Sequence, residues 1–160
     1  MNQVVVKQEK SGYQIVEAYK SLRTNLQFCG EDKKVIAITS CTPNEGKSSV
    51  SMQLGISLAE IGKRVILIDA DLRKSVLLGR TKTEKSVRGL AHFLSGQASL
   101  EDVICATNIK NFYMIYSGPF PPNPAELLGG KNFRSLLNAL RKVYDYVIVD
   151  TPPLGSVIDS

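Results

Sequence analysis

Gly46, Lys47 and Ser48 stand together in the stretch SCTPNEGKSS, residues 40–49, and their types suit one chemistry, the binding of a polyphosphate. Glycine lets the main chain pass close to phosphate oxygens with no Cβ in the way. The Lys47 ammonium is suited to the β and γ oxygens, and the Ser48 hydroxyl to Mg²⁺. Pro43, Asn44, Glu45 and Ser49 complete a loop that would wrap the phosphates at the start of a helix. In the pattern GxxxxGK[ST] the first glycine falls at Cys41, so the loop is a variant form. Asn44 tolerates a left-handed backbone better than most residues and is the candidate substitute for a glycine. The plain alternative is a capped turn that happens to read GKS.

Three carboxylates argue against that alternative. RVILID, residues 64–69, and YDYVIVD, residues 144–150, are short β-branched runs that each end in an acid. Such runs read as parallel strands buried on both faces, and α/β sheets bind ligands at the carboxyl ends of such strands. Asp69 and Asp150 are therefore expected at the same mouth as Lys47. Asp150 reads as the Walker B carboxylate that holds Mg²⁺ directly or through its water shell. Asp71 lies two residues beyond Asp69 in IDADLR and adds a second acid there. A lone strand-terminal Asp is more often a helix cap or turn residue. Three of them beside a phosphate loop are not.

The elements that position these groups alternate. Strand 35–39 leads to helix 47–61, strand 65–68, a helical turn at 90–93 and strand 113–116. A proline-rich loop, helix 131–143 and strand 146–149 follow, and an earlier helix covers 15–28. This order predicts an α/β fold with a doubly wound, mostly parallel sheet. It is read as a single domain, 1–160, with an N-terminal segment 1–34 and a nucleotide-binding core 35–160. No repeat or linker divides it.

Composition agrees. The chain has 160 residues, 43% of them hydrophobic, enough to bury a core. No apolar run approaches the roughly 20 residues that cross a bilayer, and MNQVVVKQEK lacks a signal-peptide core. The expected location is cytoplasmic. Three cysteines without metal-ligand spacing fit a reducing compartment. Cys41 reads as an incidental small residue and the lone His92 as a helix-surface group. The net charge of +5 is not gathered into an aromatic-interleaved patch, so no nucleic-acid partner is expected. The densest basic stretch, Arg73 to Arg88, reads as a mobile surface loop, with an acidic partner or the nucleotide as the alternative.

TSCTPNEGKSS, VILIDADLRKS, SGPFPPNPAELL and DYVIVDTPP together resemble the bacterial tyrosine kinases of capsular and exopolysaccharide synthesis, the CpsD/CapB type. The resemblance covers essentially the whole chain. It implies Lys47 and Ser48 as Walker A residues, Asp69 and Asp71 as Walker A′ acids and Asp150 as the Walker B acid. The implied reaction is transfer of the ATP γ-phosphoryl group to tyrosine hydroxyls, with Asp69 as the base. Ser48, Asp71 and Asp150 would organise Mg²⁺, and Lys47 would stabilise charge on the transferred group. ATP is favoured over GTP because no guanine-reading NKxD stretch occurs; the nearest, NIKN at 108–111, lacks the acid.

In that family a helix pattern ExxRxxR serves ring assembly, and Glu17, Lys20 and Arg23 match it with lysine for the first arginine. The resemblance also implies tyrosine-containing protein substrates, a homo-oligomeric ring, and a transmembrane chain-length regulator that recruits the kinase to the inner face of the plasma membrane. The family continues beyond the position of Ser160 to a tyrosine cluster, so the fold is expected to be incomplete at its C-terminus. Two other readings compete: a ParA/MinD-like partitioning or positioning ATPase, whose early loop lysine is Thr42 here, and a nucleotide-binding regulatory subunit without transfer activity.

Overall fold

The computed structural model describes residues 2–6, 35–38, 47–70, 81–83, 88–118 and 124–150, with the backbone alone for 2, 6, 47–50, 81–83, 124 and 125. The strands are β1 (Asn2–Val6), β2 (Val35–Ile38), β3 (Val65–Asp69), β4 (Thr81–Thr83), β5 (Cys105–Thr107), β6 (Phe112–Ile115) and β7 (Tyr146–Asp150). The helices are α1 (Lys47–Glu60), α2 (Leu90–Leu94), α3 (Leu100–Val103), α4 (Pro124–Leu128) and α5 (Lys131–Val143). One mixed sheet runs in the order β2-β7-β3-β6-β5-β1-β4.

The central strands β2, β7, β3 and β6 are parallel. From β2 the chain crosses through α1 to β3, and from β6 it returns through α4 and α5 to β7, between β2 and β3. These two crossovers run in opposite directions across the sheet. With a common right hand, that places their helices on opposite faces, which is the doubly wound arrangement expected from the alternation. Every residue of β3 and β7 is buried, as strands covered on both sides must be.

Strand alternation separates two cores. Val65, Leu67, Met114, Tyr116, Tyr146 and Ile148 pack with Met52, Leu54, Ile56 and Leu58 of α1. Ile66, Ile68, Ile115, Val147 and Val149 pack with Leu90, Ala91 and Leu94 of α2 and Leu136 and Leu140 of α5. Helix α5 forms because Phe133, Leu136, Leu137 and Leu140 recur at helical spacing and make one apolar stripe against that core. Arg141 and Lys142 in its last turn suit the negative end of the helix dipole. At Gly55 a Cβ would lie 2.5 Å from Cε1 of Phe112, so glycine there lets α1 settle onto the ring.

Several features depart from the sequence expectation. β5 pairs antiparallel with β6, and β1 antiparallel with β4, so the sheet is mixed outside its parallel centre. β1, β4, β5, α3 and α4 were not expected as elements. Thr81–Thr83 forms an edge strand inside the basic stretch read as a mobile loop; the remainder of 71–87 lies outside the described residues, as does the helix expected over 15–28. β6 begins and ends one residue earlier than expected, and both β3 and β7 extend one residue further, through Asp69 and Asp150.

Candidate functional site

Asp69 and Asp150 are the last residues of neighbouring parallel strands, and they are directly paired in register. Register partners on adjacent strands lie about 4.8 Å apart and point to the same face. That face follows from alternation: Val65 and Leu67 on β3, and Tyr146 and Ile148 on β7, all belong to the core beneath α1. Asp69 and Asp150 therefore lie on the α1 side, and each is 1% exposed. The Ala70 amide donates to the Asp150 carbonyl at 2.9 Å, which carries the ladder one step past the acids and holds the two strand ends together.

Helix α1 enters at this same edge. Its strand, β2, ends at Ile38, the register partner of Asp150, and the helix starts at Lys47. The helix has no acidic residue in its first turn, and the positive end of a helix dipole favours an anion. A helix N-terminus and two in-register carboxylates thus share one sheet edge and one sheet face. The chemistry of this set is complementary: an anion at the helix, a cation at the acids.

Two hard oxygen donors suit Mg²⁺, which binds through one or two carboxylates and leaves its other positions to water and phosphate oxygens. No group of three or more His, Cys, Asp and Glu residues able to hold a metal occurs among the described residues. Two carboxylates at one strand-end position are a donor set that fits Mg²⁺ carried with a polyphosphate.

The structure brings together two of the residues singled out from sequence, Asp69 and Asp150, and sets the backbone of Lys47, Ser48 and Ser49 at the start of α1. Pro43, Asn44, Glu45, Gly46 and Asp71 lie outside the described residues, as do Glu17, Lys20 and Arg23. Tyr116 and His92 were not among the site residues singled out from sequence. Tyr116 follows β6 on the α1 face and, one step beyond the Ile68–Ile115 pair, comes level with Asp69. Its position after an apolar run was the available signal. His92, expected as a helix-surface group, is half-buried and caps its own helix, its Nδ1 accepting the Gly89 N–H at 3.0 Å.

At the opposite end of β3, Arg64 stands beside two tyrosine rings. The Arg64 guanidinium lies 5.6 Å from the Tyr113 ring centroid and 5.3 Å from that of Tyr144. Its backbone N–H donates to the Asp145 carboxylate at 2.8 Å. Burial pushes the Tyr144 phenol above its ordinary pKa, with Arg64 working the other way.

A doubly wound sheet with acids ending its central strands beside a helix N-terminus is an arrangement shared by the P-loop class of nucleotide-binding α/β domains. The family model described as AAA domain matches residues 33–160, and the chain belongs to that family. Within it the chain is homologous to the bacterial tyrosine kinases. Tyrosine-protein kinase CpsD of Streptococcus pneumoniae serotype 4 is 46% identical over 144 residues, covering 90% of this chain and 63% of the relative. The solved BceF tyrosine kinase domain superposes with a TM-score of 0.81 at 42% identity, over 90% of this chain and 58% of that one. The chain therefore spans somewhat less than two thirds of these relatives. The septum site-determining protein MinD of Pyrococcus horikoshii, solved with Mg-ADP, is more distant, with a TM-score of 0.62 at 27% identity over 76% of this chain and 49% of that one. No described helix is long and apolar enough to cross a membrane.

Proposed function

We propose that the chain is the nucleotide-binding domain of an ATP-dependent protein-tyrosine kinase that transfers the γ-phosphoryl group of ATP to tyrosine hydroxyls and regulates capsular or exopolysaccharide synthesis. The observation that carries this reading is the Asp69–Asp150 register pair on the α1 face, in a chain homologous to tyrosine kinases. Residues 1–160 are one unit in this reading, with 35–160 as its core.

The chemistry divides among the residues as follows. Pro43, Asn44, Glu45, Gly46 and Ser49 shape the loop that holds the phosphates, and Lys47 balances negative charge on the transferred group. Ser48, Asp71 and Asp150 would hold Mg²⁺, which when bound would neutralise charge on the phosphate oxygens. A phenol has a pKa of about 10, so its oxygen attacks poorly until the proton begins to leave. Asp69 accepts that proton as the new bond from tyrosine oxygen to the γ-phosphorus forms and the bond from the γ-phosphorus to the β–γ bridging oxygen breaks, releasing ADP. The backbone pairing of β3 with β7 keeps this base beside the metal-binding acid.

Partners follow from the same reading: tyrosine-containing protein substrates, further copies of the chain assembled through Glu17, Lys20 and Arg23, and a transmembrane chain-length regulator that recruits the kinase to the inner face of the membrane. The positioning-ATPase reading is the weaker one, since the MinD likeness is lower in both identity and TM-score and Thr42 stands where those proteins carry a loop lysine. Incubation with γ-labelled ATP and Mg²⁺, with and without a regulator tail, is expected to yield phosphotyrosine. Hydrolysis stimulated by DNA or lipid without phosphotyrosine would select the other class, and nucleotide binding with neither activity would select a regulatory subunit.

A further inference from the structure

The order β2-β7-β3-β6 gives the site a direction. β2 is followed in the chain by α1, the paired acids end β7 and β3, and the next strand outward is β6. Because β6 runs parallel to β3 with Ile115 opposite Ile68, the turn Tyr116-Ser117-Gly118 leaves the sheet about 4.8 Å from the β3 end that carries Asp69. It lies on the side of Asp69 away from β7 and β2. Tyr116 and Ser117 are each 2% exposed, and Gly118 takes a φ of +80°.

That turn is fastened from outside the sheet by the first residues of α2. The Leu90 N–H donates to the Tyr116 carbonyl at 2.6 Å and the Ala91 N–H to the Ser117 carbonyl at 2.9 Å. Gly89 lies flat against Gly118: a Cβ on Gly89 would collide with the Gly118 nitrogen and stand 2.7 Å from the Tyr116 carbonyl oxygen. His92 joins the two glycines. Its Nδ1 accepts the Gly89 N–H at 3.0 Å, and a Cβ on Gly118 would be 3.3 Å from the same nitrogen. The imidazole thereby holds Gly89 in the extended conformation, φ −123° and ψ −174°, that lets the glycines touch.

We propose that His92 is a positioning residue for the phosphoryl acceptor: through Gly89 it fixes the Tyr116–Gly118 turn as the wall against which an incoming tyrosine is oriented toward Asp69. This rests on the kinase reading above. The phosphates lie toward β2 and α1, so a hydroxyl that meets Asp69 in line with the γ-phosphorus approaches from the β6 side. A wall misplaced by even an ångström lowers the rate of an oriented transfer steeply. Nucleotide binding, on the far side of the acids, does not depend on this wall.

The test separates acceptor from nucleotide. His92→Ala is expected to lower kcat/KM for a tyrosine-containing peptide by about tenfold or more, while the Kd for Mg-ADP stays within about twofold of the unsubstituted chain. His92→Gln, whose side-chain oxygen can accept the Gly89 N–H as glutamine does at the third position of a capping box, is expected to restore most of the loss. Gly118→Ala, strained at φ +80°, is expected to repeat the alanine phenotype. An unchanged kcat/KM in His92→Ala, an equal weakening of Mg-ADP binding, or no recovery in His92→Gln would each overturn the inference. Absence of transfer from the unsubstituted chain would instead overturn the kinase reading, and the acceptor role with it.

Discussion

Asp69 and Asp150 have different proposed tasks although they are neighbours in register. Asp150→Asn removes a metal-binding charge, so the stabilisation that Mg-ADP confers is expected to fall sharply. A ligand at 100 times its Kd stabilises a native state by about 2.7 kcal/mol, and the measurement is the shift in Tm on adding Mg-ADP. Asp69→Asn removes the base and leaves the proposed metal-binding acids, Asp71 and Asp150, in place. It is expected to lower phosphotyrosine formation by about 10²-fold or more while retaining most of the Mg-ADP shift in Tm. Equal loss of that shift in both variants would remove the division of labour. At Cys105 a different residue-scale effect is expected. Burial pushes its thiol from an ordinary 9.0 up to about 11, so between these values the unfolded chain has lost a proton that the folded chain keeps. Stability is therefore present below pH 9 and declines as pH rises toward 11. Denaturant midpoints should show that decline, and Cys105→Ala should flatten it.

Among the elements, the fit of α1 onto the sheet leaves little room for added volume at Gly55. Phe112 is 1% exposed and has little room to retreat from a new methyl group at Gly55. Overpacking of this kind costs about 1–3 kcal/mol, against a gain of up to about 1 kcal/mol from replacing glycine by alanine in a helix. Gly55→Ala is accordingly expected to destabilise by about 1 kcal/mol, measured by urea unfolding. Coupling it with Phe112→Leu should recover part of the loss, since residues in contact are not additive. The same packing sets the bearing of α1 over β3 and β7, and through it the aim of the helix N-terminus.

At the scale of the whole molecule the sheet has two parts, a parallel centre that carries the acids and an outer group, β5-β1-β4, that carries none of the assigned site residues described. β1 joins that outer group, pairing with β5 on one side and β4 on the other, and Val4, 2% exposed, is its anchor in the core. Val4→Asp would bury a charge among apolar groups, at a cost of several kcal/mol. Hydrogen exchange is expected to quicken at Thr81–Thr83 and Cys105–Thr107, while the amides of Val65–Asp69 and Tyr146–Asp150 keep their protection. Uniform loss across the sheet would mean that the two parts unfold as one.

The strands β3 and β7, helix α1 and helix α5 were legible in the amino-acid sequence because their signals are local. Apolar runs that end in acid, a Gly-Lys-Ser loop before a helix, and apolar residues at 133, 136, 137 and 140 are patterns among near neighbours in the chain. The strands β4 and β5 were not legible. TKT and CAT are three residues each, too short to show alternation, and they exist because partners distant in sequence supply their hydrogen bonds. Tertiary structure alone decided that β7 lies between β2 and β3, and hence that Asp69 and Asp150 meet in register on the face of α1. It also decided that His92 rests on Gly118. Strand order and register come from pairings and packing across the whole chain, and no short stretch of residues encodes which distant strand will lie beside it.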